Sequence, residues 1–443
     1  MPSRPQAPAS SGAPVPGTVT RAGRGGVRAW RGRLRSLRDL LLGPDGPVEG
    51  ELGVLSYYLL LLTTLLLLTI GLIMVFSTRS VATVAAGRNP YLEFAQYGAF
   101  AVAGLVGMAV LSRRSTRFLA RVAWPVFVVS VLLQMLVLVP GVQYCTYGNC
   151  NWIQIPAVGT VQPSEFVKLA LALVLGSGVQ AAGGRITEGR VLTLRLLLPS
   201  GVALGSVMVG GDLGTVLVMA LLVAAALWMA GLPKRWFAGV GVLGTFLVVA
   251  ATGLSANRRA RVTAWLHPDA ADPTGVGYQP LHGLWALATG GWWGVGPGSS
   301  RQKWGYLTQA DSDYVFAVLG EEFGLVGTLL VVVLFAALGY AMFRVIRRHS
   351  SDFVTVTTAA VSGWVLGQAA INMMVVAGML PVLGVPLPLI SAGGSALVSV
   401  LLAIGVLLAF ARHEPGAEEA LASRASAVRR TLAVIAPRRR NRA

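Results

Sequence analysis

The stretch SYYLLLLTTLLLLTIGLIMVF, residues 56–76, runs from end to end without a charged side chain. Crossing about 30 Å of hydrocarbon takes roughly 20 apolar residues in a helix, so this stretch has the character of a membrane span. Comparable segments follow at 94–111, 122–139, 166–182, 196–209, 214–230, 236–251, 314–343, 354–380 and 396–411. They predict an all-α polytopic membrane protein of about ten transmembrane helices; a β-barrel would show short stretches of alternating polarity instead. Composition agrees: 54% of the 443 residues are hydrophobic and 12% charged, about half the charged share of a soluble domain. The segments at 196–209 and 214–230 are short and separated by Gly210, Gly211 and Asp212. They fit either two tilted spans or a broken pair of the kind that lines transporter sites.

The net charge of +18 is explained by where the cations lie. Arg113, Arg114, Arg117 and Arg121 follow the second segment, Arg185, Arg190 and Arg195 the fourth, Lys234 and Arg235 the sixth, and Arg344, Arg347 and Arg348 the eighth. Cations collect in cytoplasmic connections, so both termini are expected in the cytoplasm of a plasma-membrane protein, and no nucleic-acid partner is implied. Residues 1–50 are rich in Pro, Ala, Gly and Ser, then Arg, and lack a secretory signal. They predict a disordered basic tail before a transmembrane domain at 51–413 and a second basic tail at 414–443. Within the first tail, residues 28–43 fit either a basic helix on membrane lipid or a solvated charge run. Cys145 and Cys150 fall in an outward connection, where a disulfide is sterically possible and free thiols are the alternative. HExxH spacing and a Walker-type glycine loop are both missing.

The connection at 256–313 is long and concentrates charge, glycine, proline and tryptophan. Long loops in compact proteins are usually functional or disordered, and Trp285, Trp292 and Trp293 argue against disorder. Arg258, Arg259 and Arg261 open it, Arg301 and Lys303 follow, and Asp311 and Asp313 close it. A carboxylate among cations suits a reaction in which one group removes a proton while others hold an anionic leaving group. The cations are expected to keep Asp313 ionised at neutral pH. Outside the cytoplasm no nucleotide supplies energy, so a bond-forming enzyme there needs a pre-activated substrate such as a lipid pyrophosphate. The alternative is a helix cap, with Ser312 or Asp313 preceding YVFAVLGEE. GGWWGVGPGSS reads as a turn with tryptophans at the lipid interface. Glu165 and Lys168, spaced i, i+3, fit either an ion pair that fixes helix packing or a functional pair. Asp212 fits either a helix cap or a substrate contact.

QPSEFVKLA from Gln162, GGDLGT from Gly210, GVGYQPLHGLWALATGGWWGVGPGSSRQKWGYL from Gly275, SDYVFAVLGEEFGLVG from Ser312 and LPVLGVPLPLISAGGSALV from Leu380 together resemble the SEDS family of peptidoglycan polymerases (FtsW and RodA). The ARHEP ending at Ala411 and the LPLISAGG turn resemble its actinobacterial FtsW branch more than RodA. The resemblance implies a membrane glycosyltransferase that polymerises lipid II into glycan strands in septal wall synthesis and releases undecaprenyl pyrophosphate. It places the family's loop aspartate on Asp313 as general base, acting alone or with a divalent cation such as Mg2+ or Mn2+. Lys303, Gln302 and Arg258 become candidate contacts to pyrophosphate or sugar, and Trp152, Glu165, Lys168 and Ser391 candidate cavity residues. A class B penicillin-binding protein and other divisome proteins are the implied partners. The chain departs from the family pattern at Asn151, Gly211, Gly305 and the run Thr308–Asp311. A RodA-like elongation role, a lipid II flippase or transporter, and a non-catalytic divisome scaffold are the other functions this architecture would serve.

Overall fold

The computed structural model describes residues 49–146, 149–156, 159–186, 188–418 and 421. The expectations for the basic tails at 1–48 and 419–443 lie outside them. The helices are α1 (Glu49–Ala85), α2 (Pro90–Leu111), α3 (Thr116–Met135), α4 (Ser164–Ala182), α5 (Gly189–Val209, with a π-helical turn at Thr193–Leu197), α6 (Leu213–Met229), α7 (Lys234–Gly253), α8 (Ala256–Leu266), α9 (Tyr278–Gly290), α10 (Val315–Arg348), α11 (Asp352–Val376) and α12 (Gly394–Arg412). Each apolar segment maps onto one of α1–α7 or α10–α12, and eight helices among the described residues are long and apolar enough to cross a membrane. The protein is a predominantly helical polytopic membrane protein.

Bilayer-length helices leave apolar side chains facing lipid, so the inner faces decide how they pack. The buried helix α4 packs against α3 and α11; α11 packs against α6 and α10, and α12 against α2 and α1. Polar groups taken into this interior are paired, as a low-dielectric medium demands. Lys168 Nζ donates to Glu165 Oε1 at 2.8 Å and to Gln368 Oε1 at 3.0 Å, and Ser399 Oγ donates to Glu165 Oε2 at 3.2 Å. That network ties α4 to α11 and α12. At the other end of α12, Glu414 is buried and pairs with Arg348 at 2.8 Å, so the start of the expected second tail belongs to the packed body.

Three departures from the sequence expectations bear on function. First, α1 continues past residue 76 to Ala85. Within this polar stretch the hydroxyls of Thr78 and Thr83 turn back onto the helix, donating to the carbonyls of Met74 and Arg79. Second, the long connection is largely structured, with α8 and α9 inside it. Third, its glycine-rich run forms the expected turn, but that turn is set by a break in α10. Gly324 has φ +66 inside that helix, and the backbone amides of Val295 and Gly296 donate to the freed carbonyls of Glu321 and Glu322 at 2.9 and 3.1 Å. A Cβ at Gly294 would lie 2.2 Å from Glu322 O, so close backbone approach demands glycine there. Trp292 and Trp293 stay exposed on this run.

A small antiparallel sheet, β1 (Gln143–Thr146), β2 (Asn149–Ile155) and β3 (Gly159–Val161), fills the connection between α3 and α4. Cys145 and Cys150 form a disulfide between β1 and β2, settling the choice in favour of the bonded pair.

Candidate active site

One cavity of 1380 Å³ opens between the sheet, the polar end of α1, the start of α6, α8, residues 308–313 and the turn at 381–394. Asp313, Arg258 and Trp152 all line it, as do Asp311, Asp212, Arg79 and Arg261. Arg258 and Arg261 share one face of α8 through i, i+3 spacing. Arg258 Nη2 also donates to Gly211 O at 2.7 Å, which fixes α8 to the turn before α6.

The stretch 311–313 is held by its backbone. Ala392 N donates to Asp311 O at 2.9 Å, Ser391 Oγ to Ser312 O at 2.6 Å, and Asn372 Nδ2 to Asp313 O at 2.7 Å. Three consecutive carbonyls are thus pinned to α11 and the 381–394 turn, while the Asp311 and Asp313 side chains stay on the cavity wall. Asn372 Nδ2 also donates to Val385 O at 2.7 Å, binding the turn to the same helix. The helix-cap alternative is not realised: α10 has Tyr314 as N-cap with no side-chain cap bond.

Among the described residues the Asp313 carboxylate accepts no hydrogen bond. Burial pushes its pKa up to about 7, Asp311 and Asp212 push the same way, and Arg261 opposes them. Against the expectation that surrounding cations keep Asp313 ionised, this leaves it ionised only in part at neutral pH. Withdrawal from water outweighs the one arginine that acts on it. Asp212 resolves into a capping residue that also faces the cavity. Its Oδ1 accepts from Thr215 N at 2.8 Å, and its Oδ2 accepts from Thr215 Oγ1 at 2.7 Å and Gln162 Nε2 at 2.8 Å. Burial raises its pKa too, against those hydrogen bonds.

Five other candidates do not line the cavity. Lys303 Nζ donates to Glu322 Oε1 at 2.8 Å, Ser77 Oγ at 2.8 Å and Gly298 O at 2.7 Å, which uses all three ammonium protons inside the protein. Gln302 Oε1 bonds His282 Nδ1 at 2.7 Å. Glu165 and Lys168 form the packing ion pair described above, and Ser391 acts on the backbone of Ser312 and Leu387. Arg79 escaped the sequence reading. Its signal was a cation just beyond the first apolar segment, in a connection expected to face outward and therefore to be poor in cations. Gly211 has φ +82, a left-handed conformation that favours glycine, at the turn into Asp212. Among the described residues no group of three or more His, Cys, Asp or Glu side chains could hold a metal ion. The donors among the described residues do not by themselves make up such a site.

A family model described as "Cell cycle protein", covering FtsW, RodA and SpoVE, matches residues 57–415. The chain is 38% identical over 387 residues to the probable peptidoglycan glycosyltransferase FtsW of Mycobacterium tuberculosis, spanning 86% of this chain and 73% of that protein. It is 33% identical over 361 residues to the stage V sporulation protein E of Bacillus subtilis, spanning 80% of this chain and 96% of that one. A chain from a peptidoglycan synthase complex that coordinates polymerization and crosslinking superposes with a TM-score of 0.65 at 27% identity, covering 80% of this chain and 96% of that one. RodA of Thermus thermophilus, 24% identical with a TM-score of 0.58 over 80% of this chain and 96% of its own, shares the fold. The matched region takes in α2 through α12 and the whole cavity lining, and the chain belongs to the FtsW/RodA/SpoVE family of cell cycle proteins.

Proposed function

We propose that this protein is a peptidoglycan glycosyltransferase that polymerises lipid II during septal wall synthesis. The observation that supports this most is the Asp313 carboxylate, without a hydrogen-bond donor of its own, on a cavity wall shared with Arg79, Arg258 and Arg261. The 4-hydroxyl of one lipid-linked disaccharide attacks the anomeric carbon of the other, and its proton passes to Asp313. The new glycosidic bond forms as the bond from that carbon to the phosphate oxygen breaks, and undecaprenyl pyrophosphate leaves with the electron pair. Arg258 and Arg261 stabilise the charge developing on the departing group. A base with a pKa near 7 is well matched to this work, because it is substantially ionised at neutral pH yet still basic enough to accept a proton. Any divalent cation would arrive with the substrate's phosphate oxygens, as Mg2+ commonly does.

The test is synthesis from purified protein and lipid II. Glycan strands are expected; well-folded protein that leaves lipid II unpolymerised, alone and with its partner, overturns the reading in favour of a flippase or scaffold. The partner we propose is a class B penicillin-binding protein, by analogy with the synthase complex whose chain this one matches. Crosslinking in native membranes that recovers no such protein would remove it.

We also propose that both termini are cytoplasmic and the cavity faces outward. With Cys145→Ser and Cys150→Ser as background, a membrane-impermeant thiol reagent should label Ser299→Cys from outside the cell and spare Arg113→Cys. The reverse pattern would invert the topology.

A further inference from the structure

Arg79 stands on the polar extension of α1, and its guanidinium reaches two other elements. Nε donates to Asp311 Oδ2 at 3.1 Å, and Nη2 donates to Ala392 O at 3.4 Å. Ala392 in turn donates its amide to Asp311 O at 2.9 Å. One arginine therefore spans α1, the aspartate stretch and the 381–394 turn at the cavity wall. We infer that Arg79 is a positioning residue for glycosyl transfer, holding Asp311 in place and neutralising its charge beside the base Asp313. The inference rests on Asp313 acting as the base.

The charges around Asp313 come from every side of the cavity. Asp311 and the Tyr314 phenol face it from its own segment, Arg261 from α8 with Arg258 on the same helix face, and Asp212 from the start of α6, while α11 and the turn contribute the uncharged Asn372 and Gly384. Asp311 itself is faced by Arg79 from α1 and by the Tyr97 phenol from α2, whose hydroxyl donates to Ser391 O at 2.9 Å. With Arg79 present, Asp311 is matched by a cation. With Arg79 gone, the Asp311 charge that acts on the base has no cation paired with it. Like charge disfavours ionisation, so Asp313 would hold its proton to higher pH. Both members of the pair are about one-third exposed, with side chains at 35% and 32%, so water screens part of the effect. A shift of roughly half a pH unit is the expected scale.

The experiment measures lipid II polymerisation by the full chain from mildly acidic to mildly alkaline pH. A general base must be deprotonated to act, so the rate falls on the acidic side as Asp313 takes up a proton. Arg79→Gln should move that limb upward by roughly half a unit, and Asp311→Asn should move it downward. The double variant should bring it back to the parental position, and Arg79→Lys should leave it there. An Arg79→Gln limb that stays put while the rate drops by a constant factor means that Arg79 only braces the fold, and the inference fails. If Arg79→Gln does not fold, Asp311→Asn decides alone, and an unmoved limb overturns the proposal. Asp313→Asn runs in the same series: parental activity there removes the base itself, which is a separate failure from an unmoved limb.

Discussion

Replacing Asp313 by Asn is expected to lower lipid II polymerisation by about 10²–10⁴-fold, the usual contribution of a general base. Folded protein should be recovered in parental amounts. The structure explains why the two outcomes separate. The side-chain carboxylate accepts no hydrogen bond among the described residues, so the amide loses no bonded contact, while the backbone stays fixed through Asn372, Ser391 and Ala392. Asp311→Asn should cost far less, since that carboxylate faces Arg79 and acts on the base only through its charge. The parental rate should also depend on pH in a definite sense. With the Asp313 pKa raised to about 7 by burial, activity should climb as pH rises through about 7 and then level off. A rate that is flat across that range, or an Asp313→Asn variant that builds strands at near-parental speed, would take the catalytic role away from this residue.

How much of this was legible in the chain depends on the range of the cause. Membrane spans are written locally, because a bilayer of fixed thickness demands a run of apolar residues, and residues 56–76 meet that demand without reference to anything else. Asp313 was legible only as a carboxylate among cations at the start of an apolar segment, with a helix cap as the alternative, and it was the family resemblance that singled it out as the candidate base. The helices α8 and α9 were not legible, since short helices among glycines, prolines and charges carry weak periodicity. The glycine run at 290–298 is the turn it looked like, but its cause lies elsewhere. Gly324 breaks α10 and frees carbonyls that only a close backbone can reach. Arg79 was hidden by the opposite error, a helix that runs on past the end of its apolar stretch. Lys303 was legible as a cation near the site but not as one already taken, because its partners come from α10 and α1. Charge and spacing show which groups are available; only packing shows which are still free to meet a substrate.

Lys303 therefore gives the second large expected effect, and it falls on folding. Its ammonium and the Glu322 carboxylate have side chains only 3% and 1% exposed, so the pair is shut away from water. Lys303→Met removes one partner and leaves a buried carboxylate uncompensated, a change that typically costs about 3–5 kcal/mol. Ser77 Oγ still donates to Glu322 Oε1 at 2.9 Å, but one hydroxyl cannot replace a charge. The variant should be recovered poorly and unfold at lower temperature in detergent. Lys303→Met combined with Glu322→Gln removes both charges and should regain much of that stability, and with it polymerisation. A pyrophosphate ligand would behave in the opposite way. Lys303→Met would then fold normally and be inactive, and Glu322→Gln would restore nothing. Thermal unfolding measured beside strand synthesis for the two variants distinguishes these patterns, and a stable, inactive Lys303→Met would return Lys303 to the substrate.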